Sequence, residues 1–262
     1  MKIALMIEGQ EGVTWPQWVA LARATEAAEL DALFRSDHYR SISRGDPNGS
    51  LDAWGTICGL AAVTTTLRFG TLVSPVTFRH PAILAKLVTT ADHISGGRVE
   101  LGIGAGWFED EHRSYGFDFM TQRGRLDELD RQLAEILRQW TEADDVWPKP
   151  VQQPRPWIIV GGRAKPRTVA AAIAHADEYN LVWPSVDDVR EKKRLLDDAA
   201  AQAGRAPLRL SIMINLRGSA DELERQLRPY AEAGVERVML QHLEHEDVET
   251  VAVLGEVAAR LR

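Results

Sequence analysis

The chain repeats one pattern eight times: a short apolar, β-forming run, then a longer segment with helical spacing. The runs are Ile3–Glu8, Ala32–Ser36, Arg68–Val73, Val99–Gly104, Trp157–Val160, Glu178–Val182, Leu208–Asn215 and Arg237–Gln241. Most are continuously apolar rather than alternating, the sign of parallel strands covered on both faces. Helix signals fill the intervals. Thr14 with Gln17 and Ser219 with Glu222 have capping-box spacing, and Pro81 after His80 suits an early helix position. Leu126, Leu129, Leu133, Ile136, Leu137 and Trp140 fall on one helix face, as do Val169, Ala172, Ile173 and Ala176. Strict βα alternation with right-handed crossovers leads to an open doubly wound sheet or a closed barrel. Eight units in 262 residues match the barrel, which commonly takes about 250. The connector Glu142–Pro156 carries four prolines and reads as a long loop, not a domain boundary. The sequence therefore predicts a single α/β domain over residues 1–262, a (β/α)8 TIM barrel.

Composition narrows the function. Thirty-one basic against 38 acidic side chains leave a net charge of −7, which argues against nucleic acid as a partner. The lone Cys58 excludes a disulfide framework and a cysteine zinc site. The N-terminal apolar run turns acidic at Glu8, too soon for a signal peptide, and no run approaches the roughly 18 apolar residues of a membrane span. The expectation is a cytoplasmic protein acting on a small-molecule substrate, with neither nucleic acid nor membrane as partner.

In such barrels chemistry sits at the C-terminal ends of the strands. The second strand ends in Ser36-Asp37-His38-Tyr39, an imidazole beside a carboxylate, which suits proton transfer near neutral pH; a turn capped by Asp37 is the bland alternative. The fourth continues as Gly102-Ile103-Gly104-Ala105-Gly106-Trp107, where alternate glycines permit a close approach to the backbone. That spacing is not a dinucleotide fingerprint. A planar ligand is the expectation, and a flexible loop start the alternative. The fifth ends in Val160-Gly161-Gly162-Arg163 before a helix that opens near Pro166, an arrangement suited to a phosphate; a plain βα turn is the alternative. The acidic run Glu109-Asp110-Glu111 reads as a solvated loop, with one carboxylate able to approach a cofactor. His242 and His245 imitate a metal site but lie at a turn without a recognisable third ligand, so no metal is expected. Cys58 falls on a helix stripe with Trp54 and Ala61 and reads as core.

Taken together, Leu67–Pro81, Asp92–Arg98, Gly102–Trp107, Ser36–Tyr39, Val160–Gly162 and Ala176–Asn180 resemble the bacterial luciferase-like superfamily, most of all its F420-dependent oxidoreductase branch. The resemblance implies a (β/α)8 barrel that binds F420, or alternatively FMN, at its C-terminal mouth. It places Leu72 and Val73 in a bulge, often with a cis bond, behind the tricyclic ring. Asp37 and His38 would line the ring's reactive side, and Gly104, Ala105 and Gly106 would run along the cofactor. Val160, Gly161, Gly162 and Arg163 would take its phosphate. Some F420 dehydrogenases carry a glutamate where this chain has Trp107; the next carboxylate is Glu109, so a sugar-phosphate dehydrogenase is not expected.

The function expected is hydride transfer between F420 and an organic substrate. His38 would be the proton donor or acceptor, with Asp37 orienting it or contacting the ring, Glu109 next in line and His80 and His112 nearby. Trp107, Phe108 and Trp183 would form an apolar substrate wall. The alternatives are an FMN-dependent monooxygenase and a flavin- or deazaflavin-binding protein without turnover. Members of the superfamily often dimerise, which makes a homodimer a further expectation.

Overall fold

The strands lie where the apolar runs place them, and they pair only in parallel. The computed structural model describes residues 1–42, 49–215 and 217–261. In chain order the elements are β1 (Lys2–Ile7), α1 (Trp15–Ala27), β2 (Ala32–Arg35), α2 (Ala53–Ala62), β3 (Arg68–Thr71), β4 (Ser74–Pro75), α3 (Pro81–Ser95), β5 (Val99–Gly104), α4 (Glu109–Tyr115), α5 (Gln122–Leu137) with a π-helical turn at Arg138–Glu142, β6 (Trp157–Gly162), α6 (Pro166–His175), β7 (Glu178–Val182), α7 (Val186–Gln202), β8 (Arg209–Ile214), α8 (Ala220–Glu232), β9 (Arg237–His242) and α9 (Glu249–Arg260). The sheet runs β3-β2-β1-β9-β8-β7-β6-β5-β4 and closes through β3–β5, a (β/α)8 barrel. Among the described residues no helix is long and apolar enough to cross a membrane.

Two capping boxes behave as their spacing predicts. Gln17 Oε1 accepts from the Thr14 amide at 2.8 Å, and Glu222 Oε2 from the Ser219 amide at 2.8 Å. His80 caps α3, its ring accepting from the Ala82 amide, with Pro81 in the first turn. The acidic stretch after β5 is a helix, α4, rather than a loop; left-handed Gly116 ends it. Cys58 packs against the core between barrel and helices.

The third strand differs most from expectation. It stops at Thr71, and β4 resumes the pairing with β5 two residues later. Phe69 pairs with Val99 and Ser74 with Ile103, so one side of the ladder holds an extra residue, a bulge. The Leu72–Val73 peptide in it is cis. Gly102 and Gly104 make the bulge fit. A methyl on Gly102 would collide with the Thr71 carbonyl, and one on Gly104 would stand 2.6 Å from Val73 Cγ2. Those two glycines therefore receive the chain's own bulge.

The opposite end of the barrel is closed by charge. Arg237, fully buried, reaches Glu100 at 2.7 Å, Glu178 at 2.6 Å and Asp31 at 3.0 Å. Arg68 meets Glu100 at 2.8 Å. Burial opposes charge on Glu100, but Arg237 and Arg68 hold it down at about 2. Above this floor Ala4, Met6, Phe34, Leu72, Ile159, Met213 and Met239 fill the interior. Arg237→Ala would leave buried carboxylates without their cation, a loss of about 3–5 kcal/mol. The expected fall in Tm is roughly 6–20 °C for a chain of this size, read by thermal unfolding; an unchanged Tm would deny the cluster its role.

Candidate active site

The bulge segment organises the mouth. Ser74 Oγ donates to Asp37 Oδ2 at 2.6 Å and accepts from Trp54 Nε1 at 3.1 Å. Arg79 grips both oxygens of Asp37, at 2.6 and 3.2 Å. It also reaches Asp52 at 2.6 Å and the Tyr39 hydroxyl at 2.9 Å. Burial opposes charge on Arg79, but Asp37 and Asp52 raise its pKa further above the arginine value. Asp37 is buried and fully engaged, so it does not orient His38.

That partner is Glu111, on α4. His38 Nδ1 lies 2.8 Å from Glu111 Oε2, while Oε1 accepts from the amides of Tyr39 at 2.5 Å and Arg40 at 3.0 Å. A carboxylate beside Nδ1 makes that nitrogen the donor and leaves Nε2 for other chemistry. Burial works against charge on His38, but the Glu111 hydrogen bond and charge, with Glu8 and Asp37, outweigh it and raise its pKa above 6.5. The ring stands edge-on to Trp107, centroids 5.8 Å apart, and to Phe108 at 6.2 Å; Trp107 stacks on Phe108 at 5.2 Å.

Not every expected site residue joins this group. Glu109 is exposed and pairs with Arg113 at 3.5 Å, because the buried face of α4 presents Glu111 and His112 instead. His112 is buried with both nitrogens engaged, by the Phe108 carbonyl at 2.7 Å and Thr77 Oγ1 at 2.6 Å. His80 is an exposed cap. Trp183 is exposed at the end of β7, which β1, β9 and β8 separate from β2. His242 Nε2 meets the Asp247 carbonyl at 2.8 Å, and among the described residues no three His, Cys, Asp or Glu are grouped to hold a metal ion.

The β6 end has the form of an anion site. Gly161 and Gly162 are half-buried, Arg163 and Lys165 exposed, and α6 opens at Pro166. The Tyr179 hydroxyl accepts from the Ala164 amide at 2.9 Å, fixing the turn. Sequence reasoning missed Arg79 and read Glu111 only as part of an acidic run, while its place at a strand end marked Glu8. Glu8 accepts from Gln10 at 2.8 Å and Gln241 at 2.7 Å.

A family model described as luciferase-like monooxygenase matches residues 2–260. An uncharacterized protein of Mycobacterium tuberculosis is 30% identical over 226 residues, covering 81% of this chain and 77% of its own. Among solved structures, an F420-dependent secondary alcohol dehydrogenase in complex with an F420-acetone adduct has a TM-score of 0.85 at 16% identity, covering 100% of this chain and 99% of that one. The oxygenating constituent of 3,6-diketocamphane monooxygenase from Pseudomonas putida, in complex with FMN, has a TM-score of 0.81 at 16% identity, covering 99% and 98%. At these identities both structures speak to the fold alone.

The raised His38 pKa has a sign that can be tested. A group whose native pKa exceeds its unfolded value stabilises fully below the unfolded value, here about 6.5, and the contribution is lost as pH rises through the native value. Denaturant unfolding of wild type and His38→Gln at about pH 6 and about pH 9 should therefore give a stability difference that shrinks at the higher pH. A constant difference would refute the coupling.

Proposed function

The chain belongs to the luciferase-like monooxygenase family, and from that premise we propose that it is an oxidoreductase moving a hydride between F420 and an organic substrate. The observation that carries this reading is a histidine at the mouth, paired inward to a carboxylate through Nδ1 and left with Nε2 to exchange a proton. Hydride transfer to or from a carbon bearing oxygen needs a proton moved on that oxygen, and His38 is placed for the task.

The residues at the mouth fit a planar ring with an anionic tail. Val73, Ala105, Gly106 and Gly161 are half-buried around the bulge, and Leu72 closes the interior beneath it. F420, when bound, supplies the ring carbon that accepts or gives the hydride. In this reading Leu72 and Val73 support the ring's back, and Gly104, Ala105 and Gly106 run along its side. Val160, Gly161, Gly162 and Arg163 hold the phosphate, helped by the N-terminus of α6. Trp107 and Phe108 keep water from the substrate beside His38, and Trp183 stands on another part of the rim.

The family's description favours a second reading, an FMN-dependent monooxygenase. Parallel fluorescence titrations with F420 and FMN, followed by turnover with each, decide between them. Binding without turnover under any condition would leave a carrier protein. Arg163→Ala should weaken cofactor binding by roughly 10- to 150-fold, the loss of one charge-assisted contact; an unchanged Kd would remove Arg163 from the phosphate site. His38→Ala should slow single-turnover hydride transfer by roughly 10²–10⁴-fold while Kd changes far less. Equal losses in both would make His38 a binding contact instead.

A further inference from the structure

Two carboxylates lie against the end of β2, and they are neutralised differently. Asp37 has the Arg79 guanidinium on both of its oxygens. Glu111 is wholly buried, yet among the described residues no arginine or lysine forms an ion pair with it. Its charge is met by two backbone amides and by His38. A buried carboxylate is costly unless hydrogen-bonded and paired; the Arg40 guanidinium turns along α4 to the Asp110 carbonyl and Ser114 Oγ, and among the described residues the imidazole is the one ionisable side chain bonded to Glu111.

We propose that Glu111 is the positioning residue for His38: its carboxylate turns Nδ1 inward, presents Nε2 to the mouth and clamps the Tyr39–Arg40 backbone to α4. The inference rests on the reading of His38 as the proton carrier. The charged groups facing the imidazole are Glu111 from α4, Glu8 from the end of β1 and Asp37 from the end of β2. Glu8 is hydrogen-bonded to Gln10 and Gln241, and Asp37 is bound to Arg79. Of these three acids Glu111 is the one hydrogen-bonded to the ring, so it sets the proton affinity as well as the orientation. His38 is then an acid over a wider pH range than a free histidine, and Nε2 carries the exchangeable proton. The clamp makes the arrangement independent of bound ligand, because both amides and the imidazole are held by one side chain.

The test is histidine NMR on the whole protein without cofactor, with the His38 signals assigned by their loss in His38→Gln. In wild type, His38 should titrate above 6.5 and, once neutral, carry its proton on Nδ1. Glu111→Gln should lower the midpoint by roughly one to three units, cutting the ratio of protonated to neutral imidazole at a given pH about tenfold or more. Glu111→Asp keeps the charge and should restore part of the shift. Asp110→Asn, an exposed acid on the same helix, should leave the midpoint in place. A midpoint unmoved by Glu111→Gln overturns the proposal. If that variant fails to fold, the wild-type tautomer decides: a neutral His38 with its proton on Nε2 overturns it equally. None of these readings requires F420. A protein that passes them but binds neither F420 nor FMN would lose the proposed function and keep the Glu111 assignment.

Discussion

The mouth of this barrel depends on a contact that no side chain makes, where the Thr71 carbonyl presses against the Cα of Gly102. Any Cβ at residue 102 would push β3 away from β5 and open the wall. With glycine there, Thr71 Oγ1 can also donate to the Gly102 carbonyl at 2.8 Å, and the chain then bulges by one residue before pairing again. The re-entrant stretch delivers Ser74 and Arg79 to Asp37, and Thr77 to His112. The position of His38 follows, because it is the next residue after an Asp37 that Arg79 and Ser74 immobilise. A packing constraint in the wall thus fixes the geometry of polar groups at the rim.

Charge is divided between the two ends of the barrel by the same economy of partners. At the floor, acids and arginines interlock until neither is left over, which suits a region that must stay closed. At the mouth the acids outnumber the guanidiniums that touch them. Asp37 takes Arg79, Glu8 is satisfied by two side-chain amides, and Glu111 is left with a histidine. The titratable partner is therefore the product of an intentional-looking shortage: a second arginine beside Glu111 would neutralise it at every pH and leave His38 an ordinary imidazole. Arg163 and Lys165 stand apart, exposed at the end of β6.

The fold was legible because buried parallel strands leave continuous apolar runs, and eight of them allow few closures. The bulge was legible only through resemblance; glycines at alternate positions signal close approach without saying what approaches. The error at His38 has a simple cause. Neighbouring residues of an extended chain point to opposite sides, so adjacency in Asp37-His38 places the two side chains apart rather than together. Glu111 escaped notice for another reason. A helix of seven residues is too short for periodicity to show, and Glu109-Asp110-Glu111 has the composition of a surface loop. Only packing reveals that its third carboxylate turns inward while the first two stay in solvent.

The two histidines near Trp107 show how the fold separates structural from chemical work. His112 has a carbonyl on one nitrogen and a hydroxyl on the other. The carbonyl can only accept, so Nδ1 carries the proton, and Nε2 accepts from Thr77. Both nitrogens of the ring are thereby engaged. Its task is to tie α4 and Phe108 to the bulge segment. His38 has a carboxylate on one nitrogen and an open side on the other, so adding a proton strengthens a hydrogen bond instead of breaking one. His112 belongs to α4, and His38 is bound to the same helix through Glu111. Anything that shifts α4 must therefore disturb the Trp107–Phe108 pair and His38 together.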